Sequence, residues 1–328
     1  ATDWIDYVAA GCSDENALRA RIIEILRSVA LDQEVYEIGL KRAISPDLFP
    51  DLVAKLLEAR AIFRQRLRAA GQAPLIETFD ADNYNNYASV AENIIFGTPV
   101  GPYFAIENLG RNDYMQQVIE NSGLTADFLE MGRKLAAIKA EIFQGLSPDH
   151  EFFERFSFIH SADMPVFKRI LLGIESHGIE SLGDADRNRL MALPFKLVET
   201  QHKVGMIDEK MKKRLLTARR IFAKGLPERF RNAVQFFEEG SYNTASSIVE
   251  NITFGKTATG KAGSTQQIGQ MLTQVVDELN LRNDIIAVGL DFQIGAGGSR
   301  LSATQHQKIA LARCLIKQPD ILIMNDAM

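Results

Sequence analysis

Apolar positions along the chain recur mostly at helical spacing. Val53, Leu56, Leu57, Ala61 and Leu67 share one stripe, and Met211, Leu215, Leu216 and Phe222 form another, the roughly 3.6-residue period of amphipathic helices packed on one side. The pattern breaks at Ser45-Pro46, Ala70-Gly71-Gln72-Ala73-Pro74, Ser147-Pro148 and Gly225-Leu226-Pro227, where proline or glycine ends a helix. One run reads as a buried strand: Ile321-Leu322-Ile323-Met324, after Gln318-Pro319-Asp320. The expected fold class is therefore mainly α, with a short α/β fragment at the C-terminus.

The same pattern is written more than once. Phe79 to Gly97 (FDADNYNNYASVAENIIFG) returns 158 residues later as Phe237 to Gly255 (FEEGSYNTASSIVENITFG), with 9 of 19 positions identical. The helices before them, Leu56 to Leu67 and Leu215 to Leu226, share 7 of 12 residues. Gly123 to Gly132 echoes Asn280 to Gly289, and Leu31 to Ile44 parallels Leu281 to Ile294. Internal repeats on this scale govern how the remainder is read. Residues 1–50 are expected to be the tail of a first copy, 51–209 a degenerate unit and 210–328 a further unit. Proline or glycine breaks mark the repeat boundaries. The recurring Glu92-Asn93 and Glu250-Asn251 pairs read as helix-initiating structure rather than acid/base dyads.

Composition narrows the function classes. The 328 residues are 46% hydrophobic and 24% charged, with a formal net charge of −5, so no global basic field exists to hold a polyanion and no nucleic acid partner is expected. The cluster Lys210, Lys212, Lys213, Arg214, Arg219 and Arg220 reads as a solvated helix face. A docking face for an acidic partner is the alternative, and nucleic acid binding a third. Cys12 and Cys314 suit neither a disulfide framework nor a zinc site. His150, His160, His177, His202 and His306 lack metal spacing. No run approaches the roughly 18 apolar residues of a membrane span. The start at Ala1 and the stop within an incipient element at Met328 suggest a piece of something longer.

The densest chemistry lies between Ile294 and Ala327. A glycine loop, Gly295-Ala296-Gly297-Gly298, precedes Ser302, which is placed to cap a helix while Gln305 reaches back to complete a capping box. First-turn amides and the positive end of the helix dipole then offer a phosphate site. Asn325-Asp326 follow the strand-like run, at the end where open parallel sheets place ligand and metal groups. Gly255-Lys256-Thr257 echoes the end of a phosphate-binding loop, but the first glycine is missing at the required spacing and Gly255 belongs to the repeat.

In register, Gly295, Gly298, Leu301, Ser302, Gln305, Gln307, Ile309 to Arg313, Pro319 and Ala327 resemble the signature loop, signature helix and Walker B strand of ABC transporter nucleotide-binding domains. SVAENIIFG and SIVENITFG are similar to the segment following the Q-loop in exporter-type members, and Gly145-Leu146-Ser147 keeps a trace of a second signature. The resemblance implies tandem, partly decayed helical-subdomain repeats without a Walker A loop. It implies that Leu301, Ser302, Ala303, Thr304 and Gln305 would contact ATP held by another domain. Asn325 would stand where the magnesium-orienting aspartate belongs, and Asp326 where the catalytic glutamate belongs. ATP and Mg2+ are the implied cofactors, in the intact assembly only. The implied partners are another nucleotide-binding domain and a transporter membrane domain, and the implied location is the cytoplasmic face of the inner membrane. Departures from the family pattern weaken the site. Ala303 and Thr304 replace two glycines, placing β-carbons where a phosphate approaches; Asn325 is neutral; Asp326 is one methylene short. The chain alone is expected to hydrolyse no ATP, and the alternative reading is a non-catalytic helical scaffold or regulatory module.

Overall fold

The computed structural model describes residues 5–69, 75–142, 159–258 and 263–324. Helices dominate it: α1 (Glu15–Ser28), α2 (Asp32–Leu40), α3 (Pro50–Ala69), α4 (Val90–Ile95), α5 (Asp113–Asn121), α6 (Thr125–Ile142), α7 (Met164–His177), α8 (Asp184–Phe195), α9 (Glu199–His202), α10 (Glu209–Gly225), α11 (Ile248–Thr253), α12 (Ser264–Glu278), α13 (Arg282–Leu290) and α14 (Ala303–Leu315). Four three-residue strands accompany them: β1 (Ile76–Thr78), β2 (Gly97–Pro99), β3 (Val234–Phe236) and β4 (Gly255–Thr257). The chain is mainly α, as its periodicity predicts.

The run Ile321–Met324 departs from expectation. It forms no strand, and Ile321, Ile323 and Met324 are exposed. A strand is stabilised by its ladder, and no described segment pairs with this one. The strands that do form escaped the sequence reading because three residues are too few to display a period of two.

Two units divide the chain, each assembled from separated segments: residues 1–66, 246–252 and 269–328 in the first, and 67–245 with 253–268 in the second. In the first, α2 crosses α13 at two glycines. A β-carbon at Gly39 would collide with the Ile285 carbonyl, and one at Gly289 with the Val35 carbonyl, so small residues let the two backbones meet. The 250-residue echo between Leu31–Ile44 and Leu281–Ile294 is thus a pair of helices packed reciprocally. Beside them, Arg60 of α3 is buried at 3% exposure and donates to the main-chain carbonyl of Asn251 at 2.7 Å and to its Oδ1 at 3.0 Å.

The second unit repeats this arrangement with other segments. Gly132 of α6 lies against the Leu190 carbonyl of α8. Arg219 of α10 donates from Nε to the Asn93 carbonyl at 2.7 Å and from Nη2 to Asn93 Oδ1 at 3.1 Å. Its Nη1 reaches the carbonyls of Asp80 and Ala81 at 2.9 and 2.8 Å, and the guanidinium lies over the Phe96 ring, 4.2 Å from its centroid. Burial lowers the Arg219 pKa to about 10, which leaves it charged at neutral pH. Asn93 lies in the last turn of α4, where carbonyls lack helical partners and a cation is favoured.

The strands obey the repeat to the residue. β1 pairs antiparallel with β4, Ile76 opposite Thr257 and Thr78 opposite Gly255; β2 pairs with β3, Pro99 opposite Val234 and Gly97 opposite Phe236. Moving one strand forward and its partner back by 158 residues turns one register into the other, so a local two-fold axis relates the ribbons. Phe79 and Phe237 stack on that axis, centroids 3.9 Å apart, with Phe96 and Phe254 edge-on to them. The Phe79 amide donates to the Phe254 carbonyl at 3.0 Å and the Phe237 amide to the Phe96 carbonyl at 2.9 Å.

Replacing Arg219 with methionine removes the cation and all its bonds and leaves the buried Asn93 carbonyl without this donor, a loss expected at about 3 kcal/mol; urea unfolding midpoints measure it. Glu92 yields a pH dependence. Burial pushes its carboxyl up, but the pair with Lys256 at 2.6 Å and the bonds from Ser89 outweigh that and hold it below the ordinary carboxylate value. A depressed carboxylate stabilises the fold above its unfolded pKa, and that stability is lost as pH falls through the folded value. Glu92→Gln is expected to remove this part of the acid-unfolding profile, read by circular dichroism across pH 2 to 6 (a range set by about two units either side of a carboxylate).

Candidate functional site

The glycine loop ahead of α14 is built by backbone geometry available to glycine: Gly295, Gly297 and Gly298 all have positive φ, at 82°, 61° and 77°. Gly298 also admits a neighbour, since a β-carbon there would strike the His306 ring. His306 Nε2 lies 3.0 Å from the Gly298 carbonyl, so the ring fastens loop to helix. Ser302 then takes extended backbone angles as N-cap. Its Oγ accepts from the Gln305 amide at 3.2 Å and its own amide donates to Gln305 Oε1 at 2.8 Å, completing the capping box the sequence predicts.

Around this turn the structure gathers five of the seven residues singled out from the sequence: Leu301, Ser302, Ala303, Thr304 and Gln305. Ser302, Ala303 and Thr304 are exposed, and the first turn of α14 carries no acidic residue. The Ala303 and Thr304 amides thus stand at the exposed, positive end of a 13-residue helix without a competing carboxylate on the turn, an arrangement suited to a phosphate oxygen. Asn325 and Asp326 lie outside the described residues, as does the Gly145-Leu146-Ser147 trace. Among the described residues, no group of three or more His, Cys, Asp or Glu is placed to hold a metal ion.

Two residues outside the sequence reading complete the surroundings. Glu34 of α2 accepts from Gln305 Nε2, and Lys308 donates to Glu34 Oε1 at 3.3 Å and to the Ala30 carbonyl at 2.8 Å. The Gln305 bond holds the Glu34 carboxyl below its ordinary range. Separations of more than 270 residues left no local signal for these contacts.

Other sequence candidates have structural duties. Gly255-Lys256-Thr257 is strand β4, with Lys256 paired to Glu92. Glu92 and Glu250 close capping boxes on Ser89 and Ser247, while Asn93 and Asn251 receive the buried arginines. In the basic stretch, Lys212 pairs with Glu209, Arg214 with Asp127 and Arg220 with Asp82, and Arg219 is buried. No helix among the described residues is long and apolar enough to cross a membrane.

Comparison with known proteins gives relatives of one kind. The chain is 35% identical over 83 residues to the ATP-dependent lipid A-core flippase of Xylella fastidiosa (strain 9a5c), covering 25% of this chain and 13% of that protein. It is 36% identical over 83 residues to the ABC multidrug transporter mdr2 of Aspergillus fumigatus, covering 25% and 10%. It is 27% identical over 179 residues to a multidrug efflux ATP-binding/permease protein of Mycobacterium bovis (strain BCG), covering 53% of this chain and 14% of the relative. The match thus spans a small part of each relative's length. No family model and no solved structure matches the chain.

Replacing Ser302 with alanine removes the N-cap acceptor and is expected to weaken the start of α14 by about 1 kcal/mol, hence to speed exchange of the Gln305 amide roughly fivefold. Hydrogen–deuterium exchange resolved to that amide checks it.

Proposed function

We propose that this chain contributes a signature-type loop to a nucleotide site of an ABC-type transporter. In this reading residues 51–209 and 210–328 are successive helical-subdomain units behind the tail of another. Ser302 and the amides of Ala303 and Thr304 meet the γ-phosphate of ATP held by the Walker A loop of another nucleotide-binding domain. Leu301 and Gln305 fix the turn from behind. Asn325 and Asp326 would face a nucleotide and Mg2+ bound on their own side, where a neutral amide and a shortened carboxylate are poor substitutes for the usual pair. ATP would supply the energy for transport through a separate membrane domain, with this chain on the cytoplasmic face of the inner membrane. The carrying observation is the exposed, acid-free first turn of α14 behind a completed Ser302–Gln305 capping box. The ABC transporter relatives support the same direction.

A second reading, a non-catalytic scaffold or regulatory module, is favoured by one specific observation. The residues shared by the repeats are engaged in capping, strand pairing, ring stacking and buried arginine bonds, and a methyl-bearing Ala303 and Thr304 stand at the turn itself.

The two separate by measurement. The chain alone is expected to show no ATP turnover above buffer in a phosphate-release assay. Joined to a domain bearing a Walker A loop, it is expected to support magnesium-dependent ATP binding. Ser302→Arg should then lower turnover by about a hundredfold, the scale of losing one preorganised stabiliser. Absence of binding at millimolar ATP in that joined protein favours the scaffold, and turnover by the isolated chain contradicts both readings.

A further inference from the structure

Helix α14 is fastened in an unusual way. None of its residues is buried, although Ile309 and Ala312, with the flanking Leu301 and Ile316, turn toward α1 and α2. Between these elements lies a cavity of about 330 Å³ with almost wholly apolar walls. Apolar packing therefore does little to fix the helix, since side chains facing a void lack partner atoms on that side. Its position rests on polar ties: His306 to the Gly298 carbonyl at 3.0 Å, Gln318 to the Ala10 carbonyl at 3.3 Å, and the group centred on Glu34.

The Glu34 group acts on the turn itself. Gln305 uses both ends of its side-chain amide, with Oε1 taking the Ser302 N–H and Nε2 donating to Glu34. The other Glu34 oxygen takes Lys308, which also donates to the Ala30 carbonyl just beyond α1, where a cation is favoured. Glu34 is itself well anchored: α2 is locked against α13 by the reciprocal approach at Gly39 and Gly289. A carboxylate on a rigid helix thus reaches, through one glutamine, the serine and amides that face outward.

We infer that Glu34 is a positioning residue for the Ser302 turn, holding Gln305 in the rotamer that keeps the cap closed and the first-turn amides of α14 aimed at a phosphate. It touches no nucleotide and acts through Gln305. The aim toward phosphate rests on the proposed nucleotide reading; the closure of the cap does not.

Amide hydrogen–deuterium exchange on the full chain tests it without nucleotide, so failure of the nucleotide reading leaves this result standing and the reverse also holds. Glu34→Ala is expected to speed exchange at Gln305 and His306 about tenfold, the scale of one lost hydrogen bond, while α2 and α13 amides stay unchanged. Glu34→Gln, which keeps an acceptor for Gln305 Nε2, should restore rates to within about twofold of the parent. Adding Glu34→Ala to Gln305→Ala should give no further increase, because both remove the same link. Three outcomes overturn the inference: unchanged exchange in Glu34→Ala, equal acceleration through α2 and α13, or Glu34→Gln behaving as Glu34→Ala.

Discussion

A buried guanidinium on an asparagine is the contact on which the rest of the structure depends. Arg60 with Asn251 and Arg219 with Asn93 make the same two bonds, Nε to the main-chain carbonyl and Nη2 to the side-chain oxygen. Each places a fixed cation at the end of a six-residue helix, a length that is marginal without outside support. The desolvated charge demands acceptors, and the carbonyls of the last helical turn offer them. That mutual need joins a long helix from one copy of the repeat to a short helix from the other. Around it the capping boxes, the strand ribbons and the four phenylalanines follow in fixed register.

Much of this was legible in the sequence, and the reasons are specific. Helical stripes announced α3 and α10, and Ser302 with Gln305 announced the start of α14, because capping is a local event over three residues. The identities Phe79/Phe237, Asn93/Asn251 and Gly97/Gly255 marked positions that matter twice. Hidden was which copy each residue serves: Arg219 bonds Asn93 of the earlier copy, and Phe79 meets Phe254 of the later one. Spacing along a chain carries no information about such exchange.

One repeat went unseen for a related reason. Val90 N–H donates to the Leu197 carbonyl just as Ile248 N–H donates to the Arg42 carbonyl, so α8 stands to α4 as α2 stands to α11. Leu190 meets Gly132 in the way Val35 meets Gly289. Yet Pro194 occupies the place of Gly39, and the two helices share no obvious residues. Packing geometry survived where side-chain identity did not. The same erosion touches the Ser302 turn, whose capping chemistry is intact while Ala303 and Thr304 crowd its face. Expectation failed outright at Ile321–Met324, where apolar character was present and no described segment offered a ladder.

The ribbons about Phe79 and Phe237 have a kinetic consequence. β1 and β2 each complete their hydrogen bonds with strands lying more than 130 residues downstream, at 255–257 and 234–236. Contacts so distant in sequence raise contact order and slow folding, because chain entropy is lost before any of them contributes. During synthesis β1 and β2 must wait, edges unpaired, until the later copy has left the ribosome. The interval between copies is thus also an interval of exposure, in which an aromatic segment is open to pairing with a neighbouring chain.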